Sequence, residues 1–174
     1  MIYRHFALPA LALAGLLISA RPASAQLKVA IINTQRAVLE TAEIKKAATE
    51  LEAKFRPQQQ DIEKRTKELQ DIQSKLENAA KLKPDQAAEL QSEGQRKQRV
   101  LQRMTEDLQA DVDRERTEIL NKGGQRMQAV VTKLAEEKGL DLVIDTSNAV
   151  FFKQAMEITN DAIAAYDKQH PLKQ

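Results

Sequence analysis

The side chains able to do covalent or acid–base chemistry are few. The 174-residue chain has no Cys, no Trp and two His, His5 and His170. Without Cys there is no disulfide, no thiolate metal site and no Cys nucleophile. Asp141 and Asp145 flank a short apolar run. Two carboxylates so placed could serve general acid–base chemistry if their surroundings split their pKa values. No His lies near them in sequence, so they read as solvated strand ends. His170 sits beside Pro171 in a terminal tail and reads as neither base nor ligand. No G-x-x-x-x-G-K-[ST] occurs, which removes the P-loop route to nucleotide energy. The expectation is a protein that is not an enzyme, with no catalytic residues, cofactor or metal.

Other residues could bind or bend. Lys75, Lys81, Lys83, Arg96, Lys97, Arg99 and Arg103 cluster in sequence. They could contact anionic lipid head groups or lipopolysaccharide phosphates. Asp85, Glu89 and Glu93 intervene, so an ordinary solvated face fits equally. Pro57 removes a helical hydrogen bond and clashes with the preceding turn, which predicts a kink. Gly123 and Gly124 weaken a second helix by about 2 kcal/mol relative to two Ala. All three are hinge candidates, with local packing as the alternative. Val100, Ala79, Ala80, Ala87 and Ala88 are apolar positions left free for weak contacts; the Ala residues also serve as plain helix formers.

These residues hang on an exported chain. Residues 1–25 read as a signal peptide: Arg4, an apolar run over 6–18, and the small-x-small site Ala23, Ser24, Ala25. The run is short for a span and holds Pro9. Cleavage near Ala25 and the absence of Cys point to a bacterial periplasm. Removing Arg4 and Arg21 from 27 basic residues leaves 25 against 25 acidic, a net of zero. Neutrality and 3% aromatic content argue against nucleic-acid binding.

Three kinds of sequence follow. Leu27, Lys28, Val29, Ala30, Ile31, Ile32 and Asn33 read as a buried strand, with a short helix capped by Asn33 or Thr34. Residues 43–138 read as a helical hairpin. Its first seam runs Ala48, Leu51, Phe55, Gln58, Ile62, Arg65, Leu69, Ile72, Leu76, Ala79, in steps of three and four. The tip falls near 82–85, and Pro84 suits the first turn of the second helix. That helix carries Leu90, Gly94, Leu101, Met104, Leu108 and Val112, with a stutter at the last two. An antiparallel pair then faces at an index sum of about 166, with Ile72 against Gly94. At about 1.5 Å per residue the arm measures roughly 58 Å. Gly139 stops the helix. LDLVID over 140–145 and AVFFK over 149–153 read as a β-hairpin, and a last helix follows with Thr159 as a candidate N-cap.

The two ends, 26–42 and 139–174, form one body. Its roughly 50–60 residues lie near the lower limit for an independent core. Its strands are apolar and leave unpaired edges. Val29, Ile31, Ile32, Leu142, Val143, Ile144, Val150, Phe151 and Phe152 are the expected oligomerisation residues, through strands pooled between copies. Copy number does not follow from composition.

These segments together resemble the Skp/OmpH family of periplasmic chaperones. The likeness rests on the signal peptide, KVAIIN at 28–33, the heptad hairpin, LDLVID at 140–145, Ala149 with Val150, and Ile158 with Thr159. The terminal pieces are the more specific part. The resemblance implies an α+β fold: a small β-barrel body formed on trimerisation, with one coiled-coil hairpin arm per subunit. It implies an ATP-independent holdase that keeps unfolded outer-membrane β-barrel proteins soluble in a cavity between three arms. Family members are usually strongly basic, whereas this mature chain is formally neutral. The competing reading is a structural coiled-coil protein of the envelope, or a hairpin adaptor for a folded partner.

Overall fold

A computed structural model describes residues 26–78 and 83–172. The signal-peptide expectation, Lys81, Ala79 and Ala80 fall outside the described residues. Strand β1 (Val29–Ile32) leads through a short helix α1 (Thr34–Leu39) into the long helix α2 (Ala42–Glu77). Helix α3 (Pro84–Lys138) returns, followed by strand β2 (Leu142–Asp145) and helix α4 (Thr159–Gln169). Single 3-10 turns occupy Thr146–Asn148 and Gln154–Met156.

Local chemistry sets these ends. The Asn33 side chain accepts the Arg36 N–H at 2.8 Å and opens α1. Thr41, fully buried, caps α2. Pro84 takes the first turn of α3, where its missing N–H costs nothing. Gly139 closes α3 at φ 61°, a left-handed conformation that suits glycine. No helix among the described residues is long and apolar enough to cross a membrane.

Helices α2 and α3 pack along one another as the arm. A Cβ placed on Gly94 would stand 3.3 Å from Ile72 Cγ2, so these two are opposite, as the seam requires. Phe55 and Ile72 are the buried seam side chains of α2, whereas Gln58 and Arg65 are exposed. Nearer the body the helices have slipped by one residue. Ile44 faces Gly123, an index sum of 167, as the extra four-residue step near Val112 would produce. Helix α2 runs unbroken through Pro57.

The body is built on β1. It pairs with β2 in parallel, Val29 with Leu142 through Ile32 with Asp145. Its other edge meets Glu157 in a single bridge, with Ile158 N–H donating to the Ile31 carbonyl at 2.8 Å. Ala30, Ile32, Val38, Ile44, Met127, Val130, Ile158 and Tyr166 form one core. That core joins the sheet to the root of the arm.

Two sequence expectations are corrected. Residues 149–153 form no strand, and no hairpin joins them to β2. Asp145 caps the turn at 146–148, accepting the Ser147 N–H at 2.8 Å, and the chain leaves the sheet there. The segment therefore does not turn back onto β2, whose outer edge stays unpaired among the described residues. Thr159 is not the cap of α4; that place falls to Ile158. The buried Thr159 hydroxyl instead accepts the Asn33 N–H at 2.9 Å and donates to Glu157 at 2.8 Å, tying β1 to α4.

Candidate functional site

The body presents apolar surface that its own chain does not cover. Val150 is fully exposed, Phe151 is 84% exposed, and Leu142 and Leu27 are exposed as well. Phe152, Val143 and Ile144 are half-buried, as is Val29. Ile31 and Ile32 are buried within the single chain, so they reach a second copy only through β1. An open groove of 590 Å³ runs between α3 and the sheet, with Met127, Val131, Leu140 and Val143 as its apolar wall. Arg36 donates to Glu157 and Asn160, each at 3.1 Å, yet its buried Nε has no acceptor among the described residues.

The two body aspartates are structural ties. Asp141 accepts the Lys28 backbone N–H at 2.7 Å, across the strand pair. Asp145 accepts Thr34 at 3.0 Å and Ser147 at 2.8 Å. The Thr34 and Ser147 hydrogen bonds hold its carboxyl far below the usual carboxylate range. It carries no proton near neutrality. Among the described residues no cluster of three His, Cys, Asp or Glu has metal-binding geometry.

At the arm root the structure assembles a junction that periodicity does not reveal. Glu43 from α2, Arg126 from α3 and Tyr166 from α4 meet. Arg126 donates to Glu43 at 2.7 Å, and the Tyr166 hydroxyl donates to Glu43 at 2.8 Å. Burial alone would raise the Glu43 pKa; the Tyr166 and Arg126 hydrogen bonds outweigh it and hold it low. Burial, then Glu43, pushes the Tyr166 hydroxyl up to about 12. The His170 ring packs at 4.8 Å from the Tyr166 ring, tilted by 54°. In sequence Glu43 and Arg126 look like ordinary surface charges. The available signal is Tyr166, an aromatic in an aromatic-poor chain.

The hinge candidates separate by environment. A Cβ on Gly123 would crowd Ile44 and Val38, whereas Gly124 has open space. Pro57 is exposed. Toward the tip, Lys75, Lys83, Arg96, Arg99 and Arg103 are exposed. Lys97 is engaged, donating to Glu68 at 2.7 Å across the arm, with Glu93 at 3.8 Å. Val100 and Ala88 face solvent, and Ala87 is half-buried.

A long two-helix arm rising from a small strand pair, with apolar surface left uncovered beside it, defines a hairpin-armed, mostly helical protein. The family described as "Outer membrane protein (OmpH-like)" matches residues 28–166. A Skp-like protein of Pseudomonas aeruginosa is 26% identical over 148 residues, covering 84% of this chain and 88% of that protein. The chaperone protein Skp of Blochmanniella pennsylvanica is 28% identical over 145 residues, covering 82% and 87%. A crystal structure from Caulobacter crescentus, described as that of a "putative outer membrane chaperone (OmpH-like)", has a TM-score of 0.66 at 17% identity, covering 97% of this chain and 92% of that one. The chain belongs to the OmpH-like family of outer membrane chaperones.

Proposed function

We propose that this chain is an ATP-independent periplasmic holdase, a homotrimer that captures unfolded outer-membrane β-barrel proteins between its arms. Family membership supports the class. The observation that carries the assembly is Phe151: a strand-forming apolar segment stands in solvent, in a body that also carries an open apolar groove and an unpaired sheet edge. Pooled between three copies, residues 26–42 and 139–174 gain the edges they lack and close a small barrel, with the hairpins of 43–138 projecting from it. Arms that are polar outside, with scattered side chains such as Val100, suit many weak contacts rather than one tight site. The exposed cations Lys75, Lys83, Arg96 and Arg99 are proposed to touch anionic lipid or lipopolysaccharide.

Sedimentation of the protein, with and without a urea-unfolded outer-membrane protein, tests capture and copy number together. A trimer that takes up the client and suppresses its aggregation without ATP is the expected result. A stable single subunit that leaves the client to aggregate overturns the reading. Binding restricted to one folded partner would favour the adaptor instead.

A further inference from the structure

The two arm helices do not close on one another at their root. Beyond the contact of Gly123 with Ile44, a cleft of 360 Å³ opens between α2 and α3. Ile44, Leu51, Phe55, Val112, Ile119 and Leu120 form its walls, and the exposed Leu39 lies on its lip. The cause lies in the sequence. Ala48 occupies a seam position where a larger side chain would reach across, and the stutter at Leu108 and Val112 throws the opposing steps out of phase. An unfilled apolar space forfeits the contacts its lining would otherwise make. The volume falls at the small end of ligand pockets.

The polar groups at the mouth are Glu52, Gln59 and Arg116. Glu52 is offset by Arg56 at 3.6 Å. The neighbouring Glu115 is held by Lys54 across the arm. Arg116 makes no hydrogen bond or ion pair among the described residues. The site therefore presents an apolar slot with one uncompensated guanidinium at its rim. Its complement is a run of methylenes that ends in a single anion.

We propose that this root cleft binds one long-chain carboxylate, a free fatty acid, with the tail between Phe55 and Val112 and the carboxylate on Arg116. Guanidinium and carboxylate match in geometry as well as charge. An apolar side chain of a polypeptide would use the walls and leave Arg116 without a partner.

Dodecanoate, titrated calorimetrically into the protein below its micelle concentration, tests the proposal. The expected result is saturable binding of one molecule per chain. Arg116→Gln should weaken it about tenfold, while binding of dodecanol should be indifferent to that substitution. Ala48→Phe fills the cleft and should abolish binding with helical content unchanged. Absence of saturable binding overturns the proposal, as does binding that survives both substitutions. No client is present in this titration, so its outcome leaves the capture reading to be judged separately.

Discussion

Gly123 of α3 lies against Ile44 of α2 so closely that a Cβ added to the glycine would stand 2.7 Å from Ile44 Cδ1. The adjacent Gly124 meets nothing within 4 Å. Two neighbouring glycines thus have different reasons to be there. The first permits close approach of α3 to Ile44 and Val38; the second has room for a side chain.

Single alanine substitutions should separate them. Gly124→Ala gains helix propensity and should stabilise the protein by about 1 kcal/mol. Gly123→Ala gains the same propensity but forces Ile44 aside, an overpacking cost of about 1–3 kcal/mol, so it should be neutral or destabilising. Urea midpoints of the two variants check this, and equal midpoints would refute the close-approach role. If Gly124 also serves as a hinge, its alanine variant slows amide exchange around Gly123. Unchanged exchange rules the hinge out.

Phe151 offers a second test. It touches little of its own chain, so Phe151→Asp should alter single-chain stability by less than about 0.5 kcal/mol. In the proposed trimer the same carboxylate would be buried at a shared strand edge, which costs far more. Sedimentation should show a shift to single subunits, with helical circular dichroism kept. A trimer that survives Phe151→Asp places the interface elsewhere.

Much of this architecture is legible in the chain because its elements are local. The heptad steps fix the hairpin and bring Ile72 to Gly94; Pro84 and Gly139 mark the ends of α3. What fails to be legible depends on distant partners. The strand propensity of 149–153 is genuine, but the turn that Asp145 caps at 146–148 carries the chain away from the free edge of β2, and that turn is not announced by strand propensity. Thr159 has the side chain of a cap, yet Asn33, far off in sequence, claims its hydroxyl. The Glu43, Arg126 and Tyr166 junction draws on three helices, and no single-helix period can announce it. The root cleft is an absence of packing, visible in sequence only as Ala48 and a stutter.

The cations toward the tip should not act alike. Lys97 is committed to Glu68 across the arm, whereas Lys75, Arg96 and Arg99 are exposed. Replacing the latter three with Gln should weaken binding to phosphatidylglycerol vesicles, at about 1 kcal/mol per charge near the surface. The loss should fade as salt is raised. Lys97→Gln should change vesicle binding least. Co-sedimentation with vesicles measures this; equal loss from all four positions would mean that a diffuse field, not particular exposed residues, does the attracting.

The junction at the arm root predicts how stability follows pH. Glu43 is held below its ordinary pKa, so its contribution is complete above the unfolded value near 4.3 and fades as pH falls through the lower folded value. Asp145 acts in the same direction. Tyr166 is raised to about 12 from an ordinary value near 10, so its contribution is complete below about pH 10 and is lost as pH rises toward 12. Tyr166→Phe removes the hydroxyl that Glu43 accepts and should cost about 1–2 kcal/mol at neutral pH, allowing for solvent screening. It should also flatten the alkaline limb and lift the Glu43 pKa toward its ordinary value, which shrinks the acid limb. Glu43→Gln should flatten the acid limb. Urea midpoints across pH 3–11 give both limbs for each variant. An alkaline limb that Tyr166→Phe leaves unchanged would mean that the hydroxyl does not bind α4 to the arm through Glu43.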